Sequence, residues 1–102
     1  MTLIEIFLPR YYPDGQMVEM ERFRKLQQEL TQRFGGVTAF IRSAASGLWK
    51  DGHGNVERDE IAVFEVMVDE LDRSWWKSFR HRLETEFDQH EILIRATNVE
   101  SL

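Results

Sequence analysis

Ile61-Ala62-Val63-Phe64-Glu65-Val66-Met67-Val68 is the longest near-continuous apolar run in the chain, interrupted by one carboxylate near its centre. Its apolar, β-branched and aromatic content marks it as the core of the third and longest strand. Beyond it, Asp69 stands where a helix N-cap belongs, with Glu70 and Asp72 placed to favour the positive end of the helix dipole. Leu71, Trp75, Trp76, Phe79, Leu83 and Phe87 then fall on one broad helical face. A last strand is expected over roughly 91–97, with His90 at the helix end.

Reading towards the N-terminus, the apolar run extends back to about residue 56 as the third strand. Lys50-Asp51-Gly52-His53-Gly54-Asn55 has the composition of a hairpin turn. Leu48-Trp49 can resume a strand after the small-residue stretch Ser43-Ala44-Ala45-Ser46-Gly47, which suggests a bulge or a close backbone approach. Val37 to Arg42 forms the second strand. Gly35-Gly36 stops a helix spanning about 16–33, whose Met20, Phe23, Leu26, Leu30 and Phe34 recur at spacings of three and four. Tyr11-Tyr12-Pro13-Asp14-Gly15 supplies turn chemistry, and residues 2–8 form the first strand.

The order β-α-β-β-α-β specifies an α+β, ferredoxin-like fold: a four-stranded antiparallel sheet ordered 4-1-3-2, with two helices on one face. The 102 residues suit one domain over 1–102. No apolar run approaches the ~18 residues that cross a bilayer, and the N-terminus lacks the pattern of a signal peptide, so a cytoplasmic protein without membrane contact is expected. The absence of cysteine excludes disulfides, thiolate metal sites and a thiol nucleophile. A net charge of −5 with interleaved signs lacks the basic stripe of a nucleic-acid binder. The third strand also lacks the basic and glycine-rich aromatic run of an RNA-recognition module. No nucleic-acid partner, cofactor or metal is expected.

Strand phase places the candidate site. Putting Ile4/Ile6/Leu8, Val37/Ala39/Ile41, Phe64/Val66/Val68 and Ile92/Ile94/Ala96 under the helices gives an all-apolar core. The opposite phase would bury Glu5, Arg42, Glu65 and Arg95 there, at prohibitive desolvation cost. The open face then carries Leu3, Glu5, Phe7, Thr38, Phe40, Arg42, Ile61, Val63, Glu65, Met67, Leu93, Arg95 and Thr97. Such an apolar face calls for a cover, and a homodimer packed sheet to sheet would provide it.

Strand order predicts two opposite-charge pairs, Glu5 with Arg95 and Glu65 with Arg42. They serve either as structural staples or as the lining of a pocket between sheets. In the pocket reading the arginines hold an anionic small molecule, Glu65 is the candidate general base, and Thr38, Phe40, Met67 and Trp49 form the remaining walls. His53 near Asp51, Glu57 and Asp59 lacks the ligand spacing of a metal site and reads as a solvated hairpin tip. His81 reads as surface. Of the adjacent Trp75 and Trp76, one should be core and the other should reach the helix–helix groove or a neighbouring subunit.

Phe34-Gly35-Gly36-Val37-Thr38, followed by Gly47-Leu48-Trp49, a charged hairpin and an acid-bearing apolar strand, resembles a group of small uncharacterised bacterial proteins. The layout matches from Phe7 to Arg95. The resemblance implies a ferredoxin-like or dimeric α/β-barrel structure and transfers no catalytic residue. Two functions follow as expectations: a homodimeric small-molecule-binding protein or cofactor-independent enzyme with its pocket on the open sheet face, or a non-catalytic assembly or ligand-sensing module.

Overall fold

Alternation along the first strand, β1 (Thr2–Pro9), is complete: Thr2, Ile4, Ile6 and Leu8 are buried while Leu3, Glu5, Phe7 and Pro9 are partly exposed. The computed structural model describes residues 1–43 and 60–102, with Arg42 and Ser43 described by their backbone alone. After β1 come α1 (Met20–Phe34), β2 (Thr38–Ser43), β3 (Glu60–Val68), α2 (Arg73–Glu86) and β4 (Leu93–Asn98). The four strands pair antiparallel in the order β2-β3-β1-β4, which is the expected ferredoxin-like sheet. The expected hairpin over 50–55, the small-residue stretch from Ala44, Trp49 and the start of the third strand at 56–59 lie outside the described residues.

The helices start later than the sequence suggests, for local reasons. Residues 11–17 fold back as a small hairpin: Tyr11 bridges to Met17, and the Tyr12 N–H donates to the Gln16 carbonyl at 2.8 Å. Gly15 takes φ 90° in this turn, a conformation that costs a side-chain-bearing residue energy. Helix α1 therefore begins at Met20, which is 63% exposed, and buries Phe23, Leu26 and Leu30. Gly35 ends it in the left-handed region at φ 83°, its N–H donating to the Thr31 carbonyl.

At the other helix, Asp72 is the N-cap in place of Asp69: its carboxylate accepts the Trp75 N–H at 3.1 Å. Residues 69–72 are used in carrying the chain from the end of β3 up to the helix layer, so the cap falls three residues later. Trp76, Phe79 and Leu83 are buried, with Phe87 fully buried just past the end. Trp76 is the core tryptophan, stacked on Phe34 at 5.2 Å, while Trp75 is only partly buried, with the Arg33 guanidinium 4.2 Å from its ring centroid. Arg82 of α2 is ion-paired with Glu29 of α1 across the helix layer. His81 is exposed, as expected, against Glu84.

Ile4, Ile6, Leu8, Phe64, Val66 and Val68 make the sheet side of the core. The outer strands depart from expectation. Ala39 and Ile41 on β2 and Ala96 on β4 point to the helix side yet remain exposed. Two helices cover the central pair β1 and β3 and leave the helix-side flanks of both edge strands open. Ile92 is buried just before β4 begins. Among the described residues, no helix is long and apolar enough to cross a membrane.

Candidate functional site on the open sheet face

Register, not phase alone, decides which groups meet. Pairing of β2 with β3 sets Thr38 opposite Glu65, β3 with β1 sets Glu65 opposite Glu5, and β1 with β4 sets Glu5 opposite Arg95. One polar row therefore crosses the whole sheet: Thr38, Glu65, Glu5, Arg95. Beside it runs an apolar row of Phe40, Val63, Phe7 and Leu93, and on the other side lie Met67 and Leu3 followed by Thr97.

The expected Glu5–Arg95 pair is present. Arg95 Nε donates to Glu5 Oε1 at 2.8 Å and a terminal nitrogen reaches Oε2 at 3.5 Å. The same guanidinium lies 4.9 Å from the Phe7 ring centroid, so its planar face is used as well as its edge. The bond to Glu5 raises the Arg95 pKa beyond the ordinary arginine value.

The expected Glu65–Arg42 pairing is not what the register gives. Arg42 lies opposite Ile61, four residues along β2 from the Thr38 that faces Glu65. At ~3.3 Å per residue the two backbone positions are about 13 Å apart along the strand. Glu65 instead faces a second carboxylate. Like charges directly opposite repel, and Arg95 on the far side of Glu5 offsets part of that repulsion. Among the described residues, no side chain makes an ion pair with Glu65.

The apolar row is partly covered by its own members. Val63 is 1% exposed but lies outside the main core cluster, as expected for a residue on the opposite face shielded by its neighbours. Phe40, Met67 and Leu93 remain 42%, 49% and 55% exposed. At the edge of the polar row, Leu3, Phe34, Gly35, Gly36, Thr38, Glu65 and Met67 border a concavity of about 530 Å³. That volume falls within the ~300–1,000 Å³ of small-molecule sites. Thr38, Glu65 and Met67 thus share one concavity, Phe40 lies in the next row, and Glu5 and Arg95 extend the polar row away from it. Trp49 lies outside the described residues.

Gly35 and Gly36 were not among the candidates. A Cβ at either would meet nothing within 4 Å, so their lack of side chains keeps this rim low. The Gly-Gly pair one residue before the Thr38 strand is the available signal, and in the sequence it reads equally as a helix stop.

No protein-family model and no curated protein matches the chain. Two solved structures are similar. A phage SAM lyase in complex with S-methyl-5′-thioadenosine superposes with a TM-score of 0.63 at 11% identity, over 95% of this chain and 80% of that one. The phage SAM lyase in its apo state gives 0.58 at 12% identity, over 94% and 78%. At such identities the likeness establishes the shared α+β fold.

Proposed function

We propose that the protein is a homodimeric, cytoplasmic small-molecule-binding protein, its ligand held on the open sheet face between the two copies. The observation that carries the reading is the polar row Thr38–Glu65–Glu5–Arg95, bordered by exposed apolar side chains and opening onto the concavity beside Thr38 and Glu65. Glu65 is the functional end of that row. Arg95 is already engaged by both Glu5 oxygens, so an anionic ligand would have to displace a carboxylate from it. A hydroxyl, amine or sulfonium group meets Glu65 directly. With an acidic proton on the ligand, Glu65 would serve as its base. The similarity to a phage SAM lyase supports this at the level of fold, since that protein holds S-methyl-5′-thioadenosine on a related frame.

The Glu5–Arg95 bond favours the second reading for its own half of the row, a staple for sheet and assembly. The two readings separate in one experiment. Thermal unfolding is followed with S-methyl-5′-thioadenosine and a panel of amine-, sulfonium- and hydroxyl-bearing metabolites. A ligand at ~100 times its Kd stabilises by about 2.7 kcal/mol, which moves Tm by on the order of 10 °C in a chain of this size. The shift should vanish in Glu65→Gln, which preserves shape. No shift with any of these compounds, or a shift that survives Glu65→Gln, would leave only the assembly reading.

A further inference from the structure

We propose a second site, on the helix side of the sheet, that takes amphipathic anions: a carboxylate or phosphate head on a short apolar body. Because α2 lies over the central strands, a groove of about 410 Å³ is left between α2 and β4. Arg73, Lys77 and Arg80 line it from α2, spaced so that all three fall on one stripe of the helix. At ~1.5 Å rise per residue the stripe is about 10 Å long. The rest of the lining is apolar, Ile4, Leu71, Trp76, Ile94 and Ala96, apart from Arg95 on β4. No acidic side chain lines the groove among the described residues, in a chain whose net charge is −5.

Two of the three α2 cations are not consumed elsewhere, and the third is ion-paired with Glu84. Neither Arg73 nor Lys77 has an ion-pair partner among the described residues. Arg80 Nε is buried without a hydrogen-bond partner, 4.0 Å from Glu84 Oε2, and that oxygen already accepts the Ile92 N–H at 3.0 Å. Arg80 Nε faces Glu84 and not the groove, so an anionic head group seated here would meet the Arg73 and Lys77 side chains and the outer part of the Arg80 guanidinium. Ala96 is exposed on the floor. Its small side chain leaves the room into which a linear or flat apolar body fits, over Trp76 and Ile94. The groove is open to solvent on the side of β4 that no described strand pairs, which gives a ligand its route in.

The test is a titration of the isotope-labelled protein with sodium octanoate, octyl phosphate and octylammonium, followed by backbone and methyl NMR. Octanoate or octyl phosphate should shift residues 73–80 and 94–96 along saturable curves, the tighter of the two naming the head group. Octylammonium should not. Lys77→Gln combined with Arg80→Gln should weaken binding about tenfold or more, the usual consequence of losing charge-assisted contacts. Ala96→Asp, on an exposed edge position, should abolish it by repulsion while leaving the spectrum folded. Equal binding of octylammonium, shifts centred on Thr38 and Glu65, or no saturable shift with either anion would overturn the proposal. Arg95 belongs to both the groove and the polar row, so the groove is read at residues 73–80, Ile94 and Ala96, and the site at Glu65 separately at Thr38 and Glu65.

Discussion

Substituting Phe40→Ala should weaken self-association without unfolding the protomer. Phe40 lies on the open face and is 42% exposed in the single chain. For an aromatic side chain that can bury ~200 Å², about 80 Å² remains for a partner to cover, worth about 2 kcal/mol at ~25 cal/mol per Å². A symmetric dimer loses that twice. About 4 kcal/mol corresponds to roughly a thousandfold increase in dissociation constant. Sedimentation equilibrium over a concentration series reads the constant directly, and Met20→Ala is the matched control, an exposed apolar side chain on the helix side. Phe40 also helps shield Val63, so the variant should melt somewhat earlier even at concentrations where both proteins are monomeric. Identical association constants for Phe40→Ala, Met20→Ala and the parent would refute the reasoning, because the open face would then contribute nothing to assembly.

Other expectations concern the frame that carries the site. Glu84 accepts the Ile92 N–H, and chiefly for that reason its carboxyl is held below the ordinary glutamate pKa. Folding therefore favours its ionised form; the stabilisation is complete above the unfolded pKa and is lost as pH falls through the lower folded value. Denaturant unfolding across the acid range should show a shallower loss of stability in Glu84→Gln than in the parent. Asp72→Ala should cost about 1 kcal/mol in the same assay through the lost cap, whereas Asp69→Ala should be close to neutral. Leu83→Ala, at a fully buried position on the inner face of α2, should cost about 2–5 kcal/mol.

The fold was legible because strand phase has a period of two, and a wrong phase would have buried Glu5, Glu65 and Arg95. Ile4, Ile6, Phe64 and Val66 are buried for that reason. Register was not legible in the same way. Sliding a strand by two or four residues leaves every side chain on its own face and changes only its neighbours. That is why the open face was assigned correctly while Glu65 was assigned Arg42 in place of Thr38 and Glu5. The Glu5–Arg95 pair was reached from strand order alone, and its register happens to align them. Exposure of Ala39, Ile41 and Ala96 depends on how far two helices extend over four strands, a matter of helix placement that residue periodicity does not encode. The same placement produces the α2–β4 groove. The Asp72 cap depended on how many residues are needed to climb from sheet to helix, and acidic residues at 69, 70 and 72 left that count open.

Whether the face bearing Glu65 is sheltered in solution can be measured methyl by methyl. Line broadening by a soluble paramagnetic agent, recorded on the protein at tens of micromolar, should spare Met67 and Leu93 while strongly attenuating Met20, which is exposed on the other side. Equal attenuation of all three methyl signals would mean that the sheet meets water uncovered, and that no second copy encloses a ligand there.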